Sequence, residues 1–160
     1  MIGKSGFSER PNTIPWPPLL LITGIAAGAL LGAWLPLPFS VPGILQLAGY
    51  VLIVIGITFD FSAIWTMWQA RTNILPHKPA GQLITDGPFR ISRNPIYVGN
   101  TITLAAMGLA FSNLWYTAAA IVMAALVDRL AIRREEAHLA HRFGDAWRLY
   151  AGKTPRWLFI

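Results

Sequence analysis

"GILQLAGYVLIVIGITFDFSAIWTMW", Gly43–Trp68, carries one charged residue, Asp60, along its whole length. At 1.5 Å per residue such a run outreaches the roughly 30 Å hydrocarbon core of a bilayer, so it reads as a membrane-crossing helix. Upstream, within Trp16–Phe39, lies a second uncharged run, "LLLITGIAAGALLGAWL". It is too long for the apolar core of a secretory signal, and Glu9 and two prolines precede it, so it reads as a retained helix. Between the two, "LPLPFSVPG" is a loop, because Pro36, Pro38 and Pro42 lack the N–H a helix needs and clash with the preceding turn.

Downstream of a polar segment over 69–95, residues 96–111 are apolar, Ser112-Asn113 make a tight turn, and 114–131 are apolar again. These two shorter pieces form a helical hairpin, with local thinning of the bilayer or snorkelling of flanking cations making up the length. The small residues Gly99, Ala105, Ala106 and Gly108 allow close helix approach, within or between chains. The composition agrees: 54% of the 160 residues are hydrophobic and 12% charged, against about 25% charged in soluble domains. The fold class is therefore an all-α integral membrane protein. It has four transmembrane helices near 16–36, 43–68, 96–111 and 114–131 in one membrane domain, and a C-terminal amphipathic helix and tail over 132–160.

All 13 lysines and arginines fall at the N-terminus, in the loop at 71–93, or from 129 onward, and none near residue 40 or 112. Four crossings put those regions on one side, which the positive-inside rule makes cytoplasmic, with both termini there. The net charge of +6 fits anionic headgroups. It does not read as a nucleic-acid surface, because the cations flank apolar segments rather than interleave with solvent-facing aromatics. In the tail, Leu139, Phe143, Trp147 and Tyr150 recur at helical spacing while Arg142, Asp145 and Arg148 take the other face. That pattern predicts an amphipathic helix at the membrane surface, ended by Gly152 and Pro155.

The chain has no cysteine, so thiolate nucleophiles and thiolate metal sites are excluded. His138 and His141 stand three apart, but no third ligand is spaced to join them, and His77 is remote, so no metal site is expected. Asp60 lies in the cytoplasmic half of its span, where an ionisable group is costly unless it meets a partner or a polar cavity. Either it pairs with Arg129 or Arg133 to hold the bundle, or it lines a substrate cavity. At 100° per residue, Arg129, Arg133 and Glu136 share one helix face, and Asp128, Ile132 and Glu135 another. Charges of both signs aimed apart suit a zwitterionic ligand.

The polar stretch "TDGPFRISRNPIYVG", Thr85–Gly99, supplies complementary chemistry. Gly87-Pro88 and Asn94-Pro95 set turns, and Asn94 is expected to cap the third helix with Pro95 at its first position. A helix start beside Arg90 and Arg93 is a ready anion site.

"LITDGPFRISRNPIYVG" followed by "REEAHLAHRFGDAWRLYAGKTPRW" resembles the integral-membrane methyltransferases of the isoprenylcysteine carboxyl methyltransferase and phospholipid N-methyltransferase superfamily. The resemblance runs from about Thr72 to Trp157. It implies S-adenosylmethionine bound on the cytoplasmic side, in a bacterial inner membrane, and a lipophilic or lipidated substrate arriving from the bilayer. By motif position it implies Gly87, Pro88, Arg90, Arg93, Asn94, Tyr97, Gly99, Glu135, Glu136 and Arg156 as cofactor-binding residues. Two positions depart from the family pattern: Asn94 stands where the eukaryotic prenylcysteine enzymes usually have histidine, and Trp147 replaces a frequent tyrosine. Methyl transfer from a sulfonium is a displacement served by positioning and electrostatics, without metal or covalent intermediate. A carboxylate acceptor would be oriented by Arg93, Arg129 or Arg133. An amine must be neutral at attack, which brings in Asp60 or a glutamate. Two alternatives are a nicotinamide-dependent membrane reductase of the sterol reductase type and a non-catalytic membrane scaffold.

Overall fold

The computed structural model describes residues 16–71 and 81–159, of which 77% are helical, with no strand among them. His77, the N-terminal cations and residues 72–80 of the polar loop lie outside the described residues. Five helices follow in chain order: α1 (Trp16–Trp34), α2 (Gly43–Gln69), α3 (Pro95–Ala110), α4 (Leu114–Val127) and α5 (Arg133–Ala151). Helix starts fall where proline allows. Pro17 and Pro18 sit in the first turn of α1, Pro42 precedes α2, and Pro95 opens α3, each where no intrahelical N–H bond is lost. Asn113 opens α4 by accepting the Trp115 N–H on its side-chain oxygen at 3.1 Å.

Among the described residues, three helices are long and apolar enough to cross a membrane: Trp16–Trp34, Gly43–Gln69 and the continuous helix Leu114–Ala151; Pro95–Ala110 is apolar but shorter. Their outward faces are as apolar as their inward ones, with Ile22, Val54, Phe61 and Ile121 largely exposed, the pattern of helices solvated by lipid.

Chain neighbours are not always spatial neighbours. Helix α2 packs on α3, α3 on α4, and α4 on α1, so α1 and α2 stand at the two ends of the row. Small residues set the spacing. Gly49, Gly56 and Ala63, two turns apart along α2, are buried. A Cβ added at Gly49 would come within 2.5 Å of Ala110 N and 3.0 Å of Ala106 O. On α1, Gly24 faces Leu104 and Gly28 the Tyr116 ring, while Asn113 Nδ2 donates to Gly28 O at 3.0 Å. Tyr97, Leu104, Tyr116, Ala120, Met123, Val127, Ala131 and Ile132 form the core between them.

The two ends of the bundle differ. At one, Ser112 Oγ accepts from Val41 N at 3.3 Å and Gln46 Nε2 at 3.0 Å, and Trp115 Nε1 donates to Leu35 O at 2.9 Å. The 35–42 loop and the α3–α4 turn therefore share an end that carries no charge. The polar stretch and α5 lie at the other.

No loop separates α4 from α5. Residues Asp128–Ile132 continue the helix as a π turn, and α5 then bends at Gly144, whose φ of 51° and ψ of −119° leave helical space. The single amphipathic face read from 139 to 150 is thereby split. Leu139 and Phe143 are half-buried before the bend, while Trp147 and Tyr150 after it are buried.

Candidate functional site

Gly87 opens a 3-10 turn, Gly87–Arg90, at φ +56°, a conformation that a residue with a Cβ adopts at a cost. A Cβ there would also lie 2.9 Å from Thr66 Oγ1 on α2, so the turn sits directly against the end of that helix. Pro88 fixes the next residue, and its carbonyl accepts from Ile91 N at 3.1 Å and Ser92 N at 3.2 Å.

The following three residues bracket the C-terminal segment. Arg93 N donates to Pro155 O at 2.9 Å, and Ser92 Oγ and Asn94 Nδ2 donate to Arg156 O at 2.9 and 3.1 Å. Asn94 occupies the cap position of α3, but its side chain makes no capping bond there, contrary to the sequence-based expectation. The reason is competition, since its amide serves the Arg156 carbonyl and its own N–H goes to Ser92 Oγ at 3.0 Å.

Charges then alternate across the site. Arg133 Nε donates to Asp128 Oδ2 at 2.7 Å, and Arg156 Nη1 lies 3.3 Å from Asp128 Oδ1. Arg156 Nη2 lies 2.6 Å from Glu136 Oε2, and Arg93 Nη1 lies 3.2 Å from Glu136 Oε1. The Arg93 and Glu136 side chains are only 14% and 11% exposed, so this last pair is shielded from water. Arg93 also stacks over Trp147, 5.6 Å from the ring centroid, yet its Nε is buried with no acceptor. The hydrogen bonds that the Arg156 guanidinium donates to Glu136 hold it above its ordinary basicity, with Asp128 adding to the effect.

The π turn makes this ladder possible. On an unbroken α-helix Asp128 and Glu136 would point about 80° apart; an i→i+5 turn absorbs one extra residue and brings them to within about 20°. Arg156 then reaches both. Tyr97 donates its hydroxyl to Glu135 Oε1 at 2.8 Å, linking α3 to α5.

Of the residues singled out from sequence, Arg93, Asn94, Tyr97, Glu135, Glu136 and Arg156 meet here, with Gly87 and Pro88 shaping the turn beside them. Arg90 and Arg129 are exposed and make no ion pair among the described residues. Asp60 pairs with neither Arg129 nor Arg133; it packs from α2 against Gly99, on the far side of α3 from Tyr97. Among the described residues no three histidine, aspartate or glutamate side chains group to hold a metal, and His138 is buried while His141 is exposed. Ser92 joins the site without having been named from sequence, and Asp128, Trp147 and Tyr150, read there as part of a helix face, join it as well. The π turn turns Asp128 toward Arg156, and no residue pattern announced that turn.

Tyr150 donates to Phe89 O at 2.7 Å, and burial pushes its hydroxyl well above the ordinary tyrosine value, outweighing the opposing pull of Arg93. An unfolded tyrosine deprotonates near pH 10 while the folded one keeps its proton. Its contribution is thus intact below about pH 10 and is lost as pH rises from there. Tyr150→Phe is expected to cost about 1 kcal/mol at neutral pH and to flatten the alkaline fall in stability. Denaturant unfolding in detergent between roughly pH 9 and 11 measures both.

A family model described as phospholipid methyltransferase matches residues 44–146. Among curated proteins, the cobalt-zinc-cadmium resistance protein CzcN of Cupriavidus metallidurans is 34% identical over 73 residues, 46% of this chain and 33% of that protein. The match thus spans about a third of that relative's length.

Proposed function

Because the chain belongs to the phospholipid methyltransferase family, we propose that it transfers a methyl group from S-adenosylmethionine to a lipophilic acceptor drawn from the bilayer. In this reading α1, α2, α3 and α4 cross an inner membrane, both termini and the site face the cytoplasm, and the bent α5 lies at the surface. The observation that carries it is the ladder Arg133–Asp128–Arg156–Glu136–Arg93, which ties the polar stretch, the π turn and the C-terminal segment into one charged cluster at the end of an apolar bundle.

The residues fit the cofactor's chemistry. Arg93 Nε is a buried donor without an acceptor, suited to a carboxylate, and the Trp147 ring beneath it holds the guanidinium in place. Glu135, held by Tyr97, suits an ammonium. When bound, the cofactor supplies an electrophilic methyl on a sulfonium. The protein's part is to orient it, exclude water and align the acceptor. Glu136 and Asp128 have their oxygens occupied by arginines, so their part is to hold Arg93 and Arg156 in position.

Purified protein in lipid nanodiscs is expected to bind S-adenosylhomocysteine and not NADPH by calorimetry. Binding of NADPH instead would favour a reductase, and binding of neither would sink the enzymatic reading.

A further inference from the structure

Inside α5, Gly144 stands at φ 51° and ψ −119°. That is the mirror image of the extended region of L-residues, open to glycine and costly for any residue with an L-configured Cβ. Room is not what the glycine provides. Among the described residues a Cβ added there meets nothing within 4 Å, whereas at Gly49 it would strike backbone. What position 144 contributes is therefore the bend itself.

The bend separates two grips on one side chain. Before it, Glu136 Oε1 lies 3.2 Å from Arg93 Nη1. After it, the Trp147 ring lies under the same guanidinium, 5.6 Å from Cζ to centroid, and is 6% exposed. On a straight α-helix Glu136 and Trp147 would stand roughly 16 Å apart along the axis, too far for one guanidinium to meet both unless every side chain lay stretched in line. Tyr150 secures the second half: it meets the Trp147 ring edge-on at 5.7 Å and donates to Phe89 O at 2.7 Å. With one terminal nitrogen on Glu136 and its face on Trp147, Arg93 keeps Nε as a buried donor with no acceptor among the described residues. Such a donor is costly to leave unpaired, and a carboxylate is the acceptor that a guanidinium binds strongly.

We infer that Gly144 is a positioning residue for the methyl donor, an inference that rests on the methyltransferase reading above. Its bend sets Trp147 beneath Arg93, and the two grips together aim the Nε–H at the donor's carboxylate. Gly144 touches no ligand and acts through Trp147 and Arg93. What it governs is discrimination between a cofactor that carries the carboxylate and one that lacks it.

The test compares wild type, Gly144→Ala, Gly144→D-Ala and Trp147→Leu. D-alanine takes the Gly144 backbone angles without strain, since its preferences mirror those of L-alanine. It enters by ligation of a synthetic C-terminal segment at Ala140 through a temporary cysteine, later desulfurised to alanine, a step that the absence of native cysteine makes clean. The first measurement needs no ligand. Hydrogen exchange of the Arg93 Nε–H, assigned by its loss in Arg93→Lys, is followed by NMR in micelles. It is expected to be slow in wild type and Gly144→D-Ala, and about 10-fold or more faster in Gly144→Ala. The second measurement is calorimetry in nanodiscs with S-adenosylhomocysteine and its decarboxylated analogue. Wild type and Gly144→D-Ala are expected to prefer the former by about 10-fold or more, and Gly144→Ala and Trp147→Leu by about twofold or less. A merely structural role would weaken both compounds alike and leave their ratio unchanged. Unchanged exchange or an unchanged ratio in Gly144→Ala, a ratio lost in Gly144→D-Ala, a full preference in Trp147→Leu, or a wild type that binds both compounds equally would each overturn the inference. Failure of wild type to bind either compound would instead count against the methyltransferase reading, while the exchange measurement still judges the hold of Gly144 on Arg93. If Gly144→Ala does not fold, the other two variants decide: preference kept in Gly144→D-Ala and lost in Trp147→Leu supports the inference, and any other result overturns it.

Discussion

Glu136→Gln is expected to destabilise the protein by about 3 kcal/mol and to abolish S-adenosylhomocysteine binding in whatever fraction remains folded. Removing one partner from a shielded ion pair leaves the other charges uncompensated, at a cost of about 3–5 kcal/mol. Here one carboxylate serves two arginines, Arg93 and Arg156. The lower end of the range applies because the Arg156 side chain is 31% exposed, so water recovers part of the loss. The damage would not stay local. Arg93 would lose the charge that fixes it above Trp147, and the C-terminal segment would be held only by its backbone bonds to residues 92–94 and by the Arg156–Asp128 pair. Denaturant unfolding in mixed micelles reads the stability, and calorimetry reads the binding. Adding Arg156→Gln to Glu136→Gln should cost less than the two single changes summed, because one charge then no longer waits for the other. Strict additivity would mean that the pair is not energetically coupled.

Gly49→Leu is expected to cost about 3 kcal/mol by a different route, the upper end for overpacking a close interface. The atoms an added Cβ would meet at Gly49 are backbone, Ala110 N at 2.5 Å and Ala106 O at 3.0 Å, so no rotamer change can relieve the contact. Helix α2 must shift off α3 or tilt, which also disturbs the seam holding Asp60 and Thr103. Lower yield of folded protein together with an earlier unfolding transition would support this. Gly43→Leu is the control, since a Cβ there has open space around it. Equal behaviour of the two variants would remove the argument for close packing at Gly49.

Much of this was legible in the residues. Runs such as Gly43–Trp68 and the prolines that bound them specify apolar helices with little help from elsewhere, because in lipid a helix satisfies its own backbone and little else can. The stretch Thr85–Gly99 and the pair Glu135-Glu136 could be tied to one site by motif, and Tyr97 does reach Glu135. The assignment of partners was less legible. Asp60 was weighed against Arg129 and Arg133 and meets neither, because α2 packs on α3 and not on the helix that carries those arginines. Asn94 had the right position for a cap and spends its amide on Arg156.

What the sequence determined by itself was the identity of the helices, the uncharged and charged ends of the bundle, and the residue types gathered at the charged end. These depend on local periodicity, on proline and on hydropathy, each readable one window at a time. The tertiary structure alone decided which charges meet. The row order α2–α3–α4–α1, the π turn at Asp128–Ile132 and the bend at Gly144 each rotate side chains by amounts that no regular period encodes. A one-residue change in helical register is about 100°, enough to turn Asp128 from a bystander into the second anchor of Arg156.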